Sequence, residues 1–229
     1  ADLVMETDGV FGQVLDSLDR NGIADDTLVM FASDNGCAHY IGAKQMEEQG
    51  HHPSGPFRGY KSDAWDGGHR IPFIARWPGV IDPGTSSDRV VCLTDLLATC
   101  AEIVGTTLPD TAAEDSFSLM PLLRGEDAAI RDYVVHHSIA GKFAIRDGNW
   151  KLALCPGSGG WTKNDAEAAS EGLPLVQLCD MESDPEEQNN IERAHPEKVR
   201  EMIATLKKIV NDGRSTAGPA QENDVEVDI

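Results

Sequence analysis

Apolar residues Leu3, Val10, Phe11, Val14, Leu15 and Leu18 return at the spacing of one helix face, so residues 2–20 are expected to form an amphipathic helix packed by that face. Asn21-Gly22 ends it, and Ala24-Asp25-Asp26 turns the chain into Thr27-Leu28-Val29-Met30-Phe31-Ala32. That run is nearly all apolar and lies between turn residues, the pattern of a buried parallel strand. A helix feeding a short interior strand is the α/β crossover unit, whose ligands lie beyond the carboxyl ends of strands. Ser33 to Asp66 has no sustained period and holds Asn35-Gly36, Gly50, Pro53, Gly55, Pro56 and Gly59. A connector of that length is usually functional or disordered. Ile71 to Trp77 predicts a second strand ending at Pro78-Gly79, with Pro72 tolerable only near its start.

Val90-Val91-Cys92-Leu93 predicts a short strand, and Thr94 or Asp95 then caps a helix carrying Leu96, Leu97, Cys100, Ile103 and Val104, stopped by Gly105. Around residues 124–132 the texture changes to short strand candidates at 133–137, 143–146, 150–154 and 175–179, with Asp147-Gly148-Asn149 as a hairpin connection. These predict a small antiparallel sheet. Pro196 opens a last helix whose face is Val199, Met202, Ile203, Leu206, Ile209 and Val210, with Gly213 as its stop. The expected division is therefore residues 1–130, an antiparallel subdomain with its helix at 131–213, and a surface tail at 214–229.

With 229 residues, 40% hydrophobic and 25% charged, the chain can build one sizeable core, or a core with a small appendage. Nineteen Lys and Arg against 39 Asp and Glu leave a net charge of −20, which disfavours nucleic acid while leaving room for a local basic pocket that takes one small anion. No apolar run approaches the roughly 18–20 residues of a membrane span. Five cysteines, an odd number without a Cys-x-x-Cys pair, argue against a zinc ribbon and a fully paired disulfide framework. The chain begins at Ala1 with neither Met nor a secretory apolar segment, so a further upstream piece is expected.

Candidate chemistry concentrates between the first two strands. Asp34 offers a hard carboxylate and Asn35 a neutral carbonyl oxygen, a pair suited to Ca²⁺ or Mg²⁺ or, equally, to an Asx turn that caps local backbone. Two oxygens leave a Ca²⁺ shell of about 6 to 8 ligands incomplete, so others would have to come from elsewhere. Lys61 could hold an anionic oxygen as a point charge and Arg58 as a planar fork, or both could be solvated surface cations. Gly67-Gly68 permits close backbone approach, for a ligand or for a tight turn, and His69 could transfer a proton or serve as a loop histidine. The doublets His51-His52 and His136-His137 place neighbours on opposite sides of an extended chain and make no two-ligand zinc motif. Cys37 reads as a buried thiol or a reactive one.

The run Thr27 to Gly36, followed by Phe57-Arg58-Gly59-Tyr60-Lys61-Ser62-Asp63-Ala64-Trp65-Asp66-Gly67-Gly68-His69-Arg70-Ile71-Pro72 and on to Gly79, resembles the latter half of a formylglycine-dependent sulfatase of the arylsulfatase type. The likeness continues through Thr94 to Leu97, Ser118 to Gly125 and Asp180 to Asn190. It implies an alkaline-phosphatase-like α/β fold, present as the C-terminal half of a mixed or parallel sheet core plus the small antiparallel sheet with its packed helix. It makes Asp34 and Asn35 ligands of an active-site Ca²⁺ and Lys61 the cation on a sulfate oxygen. His52, Arg58 and His69 become candidate substrate-binding residues. In the family's mechanism a hydrated formylglycine attacks sulfur, and calcium and lysine stabilise charge on the transferring group.

No Cys here carries the Cys-x-Pro-x-Arg continuation of the family's nucleophile. The resemblance therefore implies a C-terminal portion only, inactive by itself, with formylglycine upstream and absent. The implied whole is a sulfuric ester hydrolase acting on a small sulfate ester or a sulfated glycan, as in bacterial sulfatases, in the periplasm or outside the cell. A catalytically inactive carbohydrate-binding relative is the alternative, and a phosphatase-type member of the same superfamily a more distant one.

Overall fold

The computed structural model describes residues 2–227 and 229, and the chain forms two units. One unit comprises the residues up to Ala32 with 72–89 and 120–128. Helix α1, Asp2–Arg20, forms where the apolar spacing predicts it. Its face is less covered than expected: Leu3, Val10 and Val14 are exposed, whereas Phe11, Leu15 and Leu18 are half-buried and Phe11 meets the edge of Phe31 at 5.4 Å. Strands β1, Val29–Ala32, and β2, Phe73–Arg76, pair antiparallel, from Val29 opposite Arg76 to Ala32 opposite Phe73. The expected parallel strand is thereby corrected. An apolar run signals burial but carries no direction, and the long connector brings the chain back alongside itself.

The other unit comprises 33–71, 90–119 and 129–229. Its sheet is a meander of β3, Tyr133–His137, β4, Phe143–Asp147, β5, Trp150–Ala153, and β6, Gln177–Asp180, antiparallel throughout. Asp147-Gly148-Asn149 makes the β4–β5 turn, with Gly148 at φ 54°, in the left-handed region glycine enters without steric cost. Val135, Ile145, Leu152 and Leu178 lie directly opposite one another, so they share a face. That face packs on Met202 and Leu206 of the C-terminal helix, Pro196–Asp212, which opens on its proline and stops at Gly213. The opposite face carries His136, Ala144, Ala153 and Lys151, with Ala64 in the same buried cluster as Ala144 and Ala153. Trp65 Nε1 donates to Gln177 Oε1 of β6 at 3.1 Å. The small sheet is thus covered by the helix on one side and by the 58–69 segment on the other.

Residues 90–93 do not form the expected strand. A 3-10 turn at Leu93–Asp95 leads into a helix, Leu96–Ile103, because the Asp95 carboxylate accepts the Cys92 and Phe117 amides at 2.8 and 2.9 Å and pairs with Arg131. The connector after β1 is also ordered, with a 3-10 turn at His39–Ile41 and short helices at Ala43–Glu48 and Asp66–His69. The expected C-terminal half of a mixed or parallel core is therefore corrected: α/β elements and small sheet occur together, and every strand pair among the described residues is antiparallel. Among those residues no helix is long and apolar enough to cross a membrane.

Candidate active site

Asp34 and Asn35 follow β1 by two and three residues, Asp34 exposed and Asn35 half-buried. Ser33 Oγ donates to the Asn35 carbonyl at 2.8 Å and Asn35 Nδ2 to the Gly36 carbonyl at 3.0 Å, so the loop is closed by its own side chains. The Gly36 amide then donates to Gly68 O at 3.0 Å. A Cβ on Gly36 would stand 1.8 Å from the Gly67 oxygen, so the two backbones approach only because Gly36 has no side chain. The Gly67 amide donates to Arg58 O at 2.7 Å and the Lys61 amide to Cys37 O at 2.8 Å. Main-chain bonds thereby join the Asp34 loop to the Lys61 turn. Burial, then Glu47, push the Cys37 thiol up, so it stays protonated at neutral pH.

The turn that carries Lys61 is organised by Asp63, which is fully buried. Its carboxylate accepts the amides of Tyr60 at 2.9 Å, Trp161 at 3.1 Å and Thr162 at 3.2 Å, and the Thr162 hydroxyl. Ser62 sits at φ 89°, a costly conformation for a residue with a Cβ, held by the Ile139 amide on its carbonyl at 2.9 Å. Lys61 itself is half-buried. A lysine on a turn fixed from two sides presents a compact charge at a defined place.

Beneath the turn lies a buried ionic cluster. Lys151 Nζ is 2.7 Å from Asp66 Oδ1 and 2.8 Å from Glu187 Oε1, and the Asp66 amide donates to Glu187 Oε2 at 2.6 Å. Burial alone would raise the Asp66 carboxyl, but Lys151 and Arg146 hold it below the usual range; Glu187 is kept above it by burial. Two carboxylates share one lysine. Arg58 stacks on Trp65 at 3.7 Å and donates to Glu187 O at 2.7 Å.

His69 turns onto His136 of β3, ring centroids 4.1 Å apart. His136 Nε2 is 3.1 Å from Ala64 O, whereas the buried His69 Nε2 has no hydrogen-bond partner. Burial, then Lys151, bring His69 down to about 4 and His136 well below its ordinary value. The His69 ring is therefore neutral in the folded protein at pH 5, where histidines of the unfolded chain are charged. The unfolded state then binds more protons, so stability should be complete above about pH 6.5 and fall as pH drops toward 4. Urea unfolding at pH 7 and pH 5 should show a loss of about 2 kcal/mol from His69, smaller in His69→Gln; equal stability at both pH values would refute this.

Of the residues singled out from sequence, the structure joins the segments of Asp34, Asn35 and Lys61 and attaches Arg58 and His69 to the underside of the same turn. His52 is exposed in a separate turn closed by the Gly55 amide on its carbonyl at 2.9 Å. Asp63, Lys151 and Glu187 escaped sequence reading. Lys151 left a trace as a charge inside Trp150-Lys151-Leu152-Ala153; Asp63 left none. The calcium expectation is corrected: among the described residues no group of three or more His, Cys, Asp or Glu side chains could hold a metal ion. Asp34 and Asn35 alone do not fit a Ca²⁺ shell.

The chain is 34% identical over 214 residues to the N-acetylgalactosamine-6-O-sulfatase of Bacteroides thetaiotaomicron, covering 91% of this chain and 41% of that protein. Human arylsulfatase A is 30% identical over 236 residues, 96% of this chain and 45% of its own length. A solved Bacteroides thetaiotaomicron structure, from work on the metabolism of multiple glycosaminoglycans, superposes with a TM-score of 0.79 at 32% identity, over 91% of this chain and 44% of that one. The chain thus spans less than half the length of these relatives.

The sulfatase family model matches residues 1–106, a stretch that includes Asp34, Cys37 and Lys61. This overturns the expectation of a C-terminal portion only, together with the inactivity and the upstream, absent formylglycine that were inferred from it. A second model, N-sulphoglucosamine sulphohydrolase, C-terminal, matches residues 61–216, more than half of the chain. With the two matches overlapping across the Lys61 turn and its buried support, the chain belongs to the sulfatase family.

Proposed function

We propose that the protein hydrolyses a sulfate ester of a carbohydrate, with Lys61 holding the sulfate. The observation that carries the reading is the Lys61 turn, bonded through main-chain atoms to the Asp34 loop and fixed from below by buried Asp63. Water adds its oxygen to sulfur, the sulfur–oxygen bond to the sugar breaks, and the sugar oxygen leaves as a hydroxyl. As that bond breaks, charge moves onto the sulfate and bridging oxygens, and an ammonium already in place stabilises it without reorganising. Asp34 and Asn35 stand on the loop that main-chain bonds join to the Lys61 turn. His69 and Arg58 support the turn from beneath, and His52 is left as a peripheral substrate contact. The site of action is the periplasm or the extracellular space.

The test is release of inorganic sulfate, followed by ion chromatography, from 6-O-sulfated hexosamines, with the matching phosphate monoesters as controls. Sulfate release exceeding phosphate release is expected. Binding of the sulfated sugar without any sulfate release would replace hydrolysis by carbohydrate binding.

A further inference from the structure

The rim of the Lys61 turn is aromatic. His39 meets the edge of Tyr40 at 5.5 Å and of Trp161 at 5.7 Å, and all three side chains are exposed, Trp161 by 52% and Tyr40 by 65%. A large aromatic left in water is unusual when it could be buried, and such rings commonly form contact surfaces for ligands. Their position is fixed by the lysine's own supports. The Trp161 amide donates to Ser62 Oγ at 3.2 Å and Asp63 Oδ1 at 3.1 Å, one and two residues beyond Lys61. A Cβ on the preceding Gly160 would lie 2.5 Å from Ser62 O, so that backbone is pressed against the turn. On the other flank, His39 is two residues beyond Cys37, whose carbonyl takes the Lys61 amide. Exposed Ile139, whose amide bonds Ser62 O, extends the apolar edge.

The geometry points to a saccharide-binding platform, in which Trp161 with His39 and Tyr40 receives the ring of a sulfated sugar while Lys61 takes its sulfate. This rests on the sulfated-carbohydrate reading above and names the residues that would recognise the sugar. A pyranose has a flat face of C–H groups and a polar rim, which suits an aromatic surface beside a single cation. Charge argues the same way. A chain of net charge −20 repels polysulfated ligands on average, so affinity must come largely from close contact that salt does not screen.

The experiment titrates wild type, Trp161→Ala, Trp161→Phe and Lys61→Ala with N-acetylgalactosamine 6-sulfate and with inorganic sulfate, at low and high salt, by NMR line positions and tryptophan fluorescence. Trp161→Ala should bind the sulfated sugar about 10-fold more weakly at both salt concentrations and inorganic sulfate unchanged, with Trp161→Phe close to wild type. Lys61→Ala should weaken both ligands. Wild-type affinity of Trp161→Ala for the sulfated sugar, with the Lys61 effect intact, overturns the platform alone. Failure of wild type to bind or cleave the sulfated sugar overturns the platform and the proposed function together.

Discussion

Lys61→Ala should lower kcat/KM for sulfate-ester hydrolysis by about 10²-fold or more while leaving unfolding stability within about 0.5 kcal/mol of wild type. The two numbers separate because Lys61 is held by its backbone: its amide bonds Cys37 O at 2.8 Å, and that bond survives truncation of the side chain. What is lost is the charge. Lys61→Arg should recover only part of the rate, since a planar guanidinium cannot occupy the position of a compact ammonium. Steady-state kinetics on a responsive sulfate ester, paired with urea unfolding of the same preparations, decides the matter. Wild-type efficiency in Lys61→Ala would make it a surface cation.

Lys151→Met should act in the opposite sense, on the fold before the chemistry. Lys151 is 1% exposed, between Asp66 at 2.7 Å and Glu187 at 2.8 Å, so its removal leaves two buried carboxyl groups facing each other. Breaking a buried pair on one side costs about 3–5 kcal/mol, a large part of the ~5–15 kcal/mol that holds a domain folded. Adding Asp66→Asn and Glu187→Gln should recover part of that loss, because neutral groups need no counter-charge. A loss below about 1 kcal/mol in Lys151→Met would mean that water reaches the cluster and replaces the ammonium.

Elements with a long, clean period were legible in the sequence. The N-terminal helix, the C-terminal helix between Pro196 and Gly213, and the four strands with their Asp147-Gly148-Asn149 turn all stand close to where apolar spacing and turn chemistry put them. Strand direction was not legible at β1, since apolar composition is the same for either neighbour orientation. Nor did the pattern reveal that the N-terminal helix buries none of its residues. Asp34, Asn35 and Lys61 were singled out through motif likeness, and main-chain bonds join their segments. The supports were hidden because they come from far along the chain. Asp63 meets Thr162 across 99 positions and Asp66 meets Lys151 across 85, and no local period records a partner at that range.

The glycine contact has a consequence for how such a protein can change. Asp34 and Lys61 are spaced by bonds between backbone atoms, Gly36 to Gly68 and Lys61 to Cys37, to which side-chain identity contributes nothing beyond the absence of bulk at the glycines. Residues on the rim, such as His39, Tyr40 and Trp161, can therefore be replaced without altering the distance between those two segments. Variation in those side chains leaves the spacing of the two backbone segments unchanged, so under the proposed function a change of preferred substrate needs only side-chain replacements and no rebuilding of the loop.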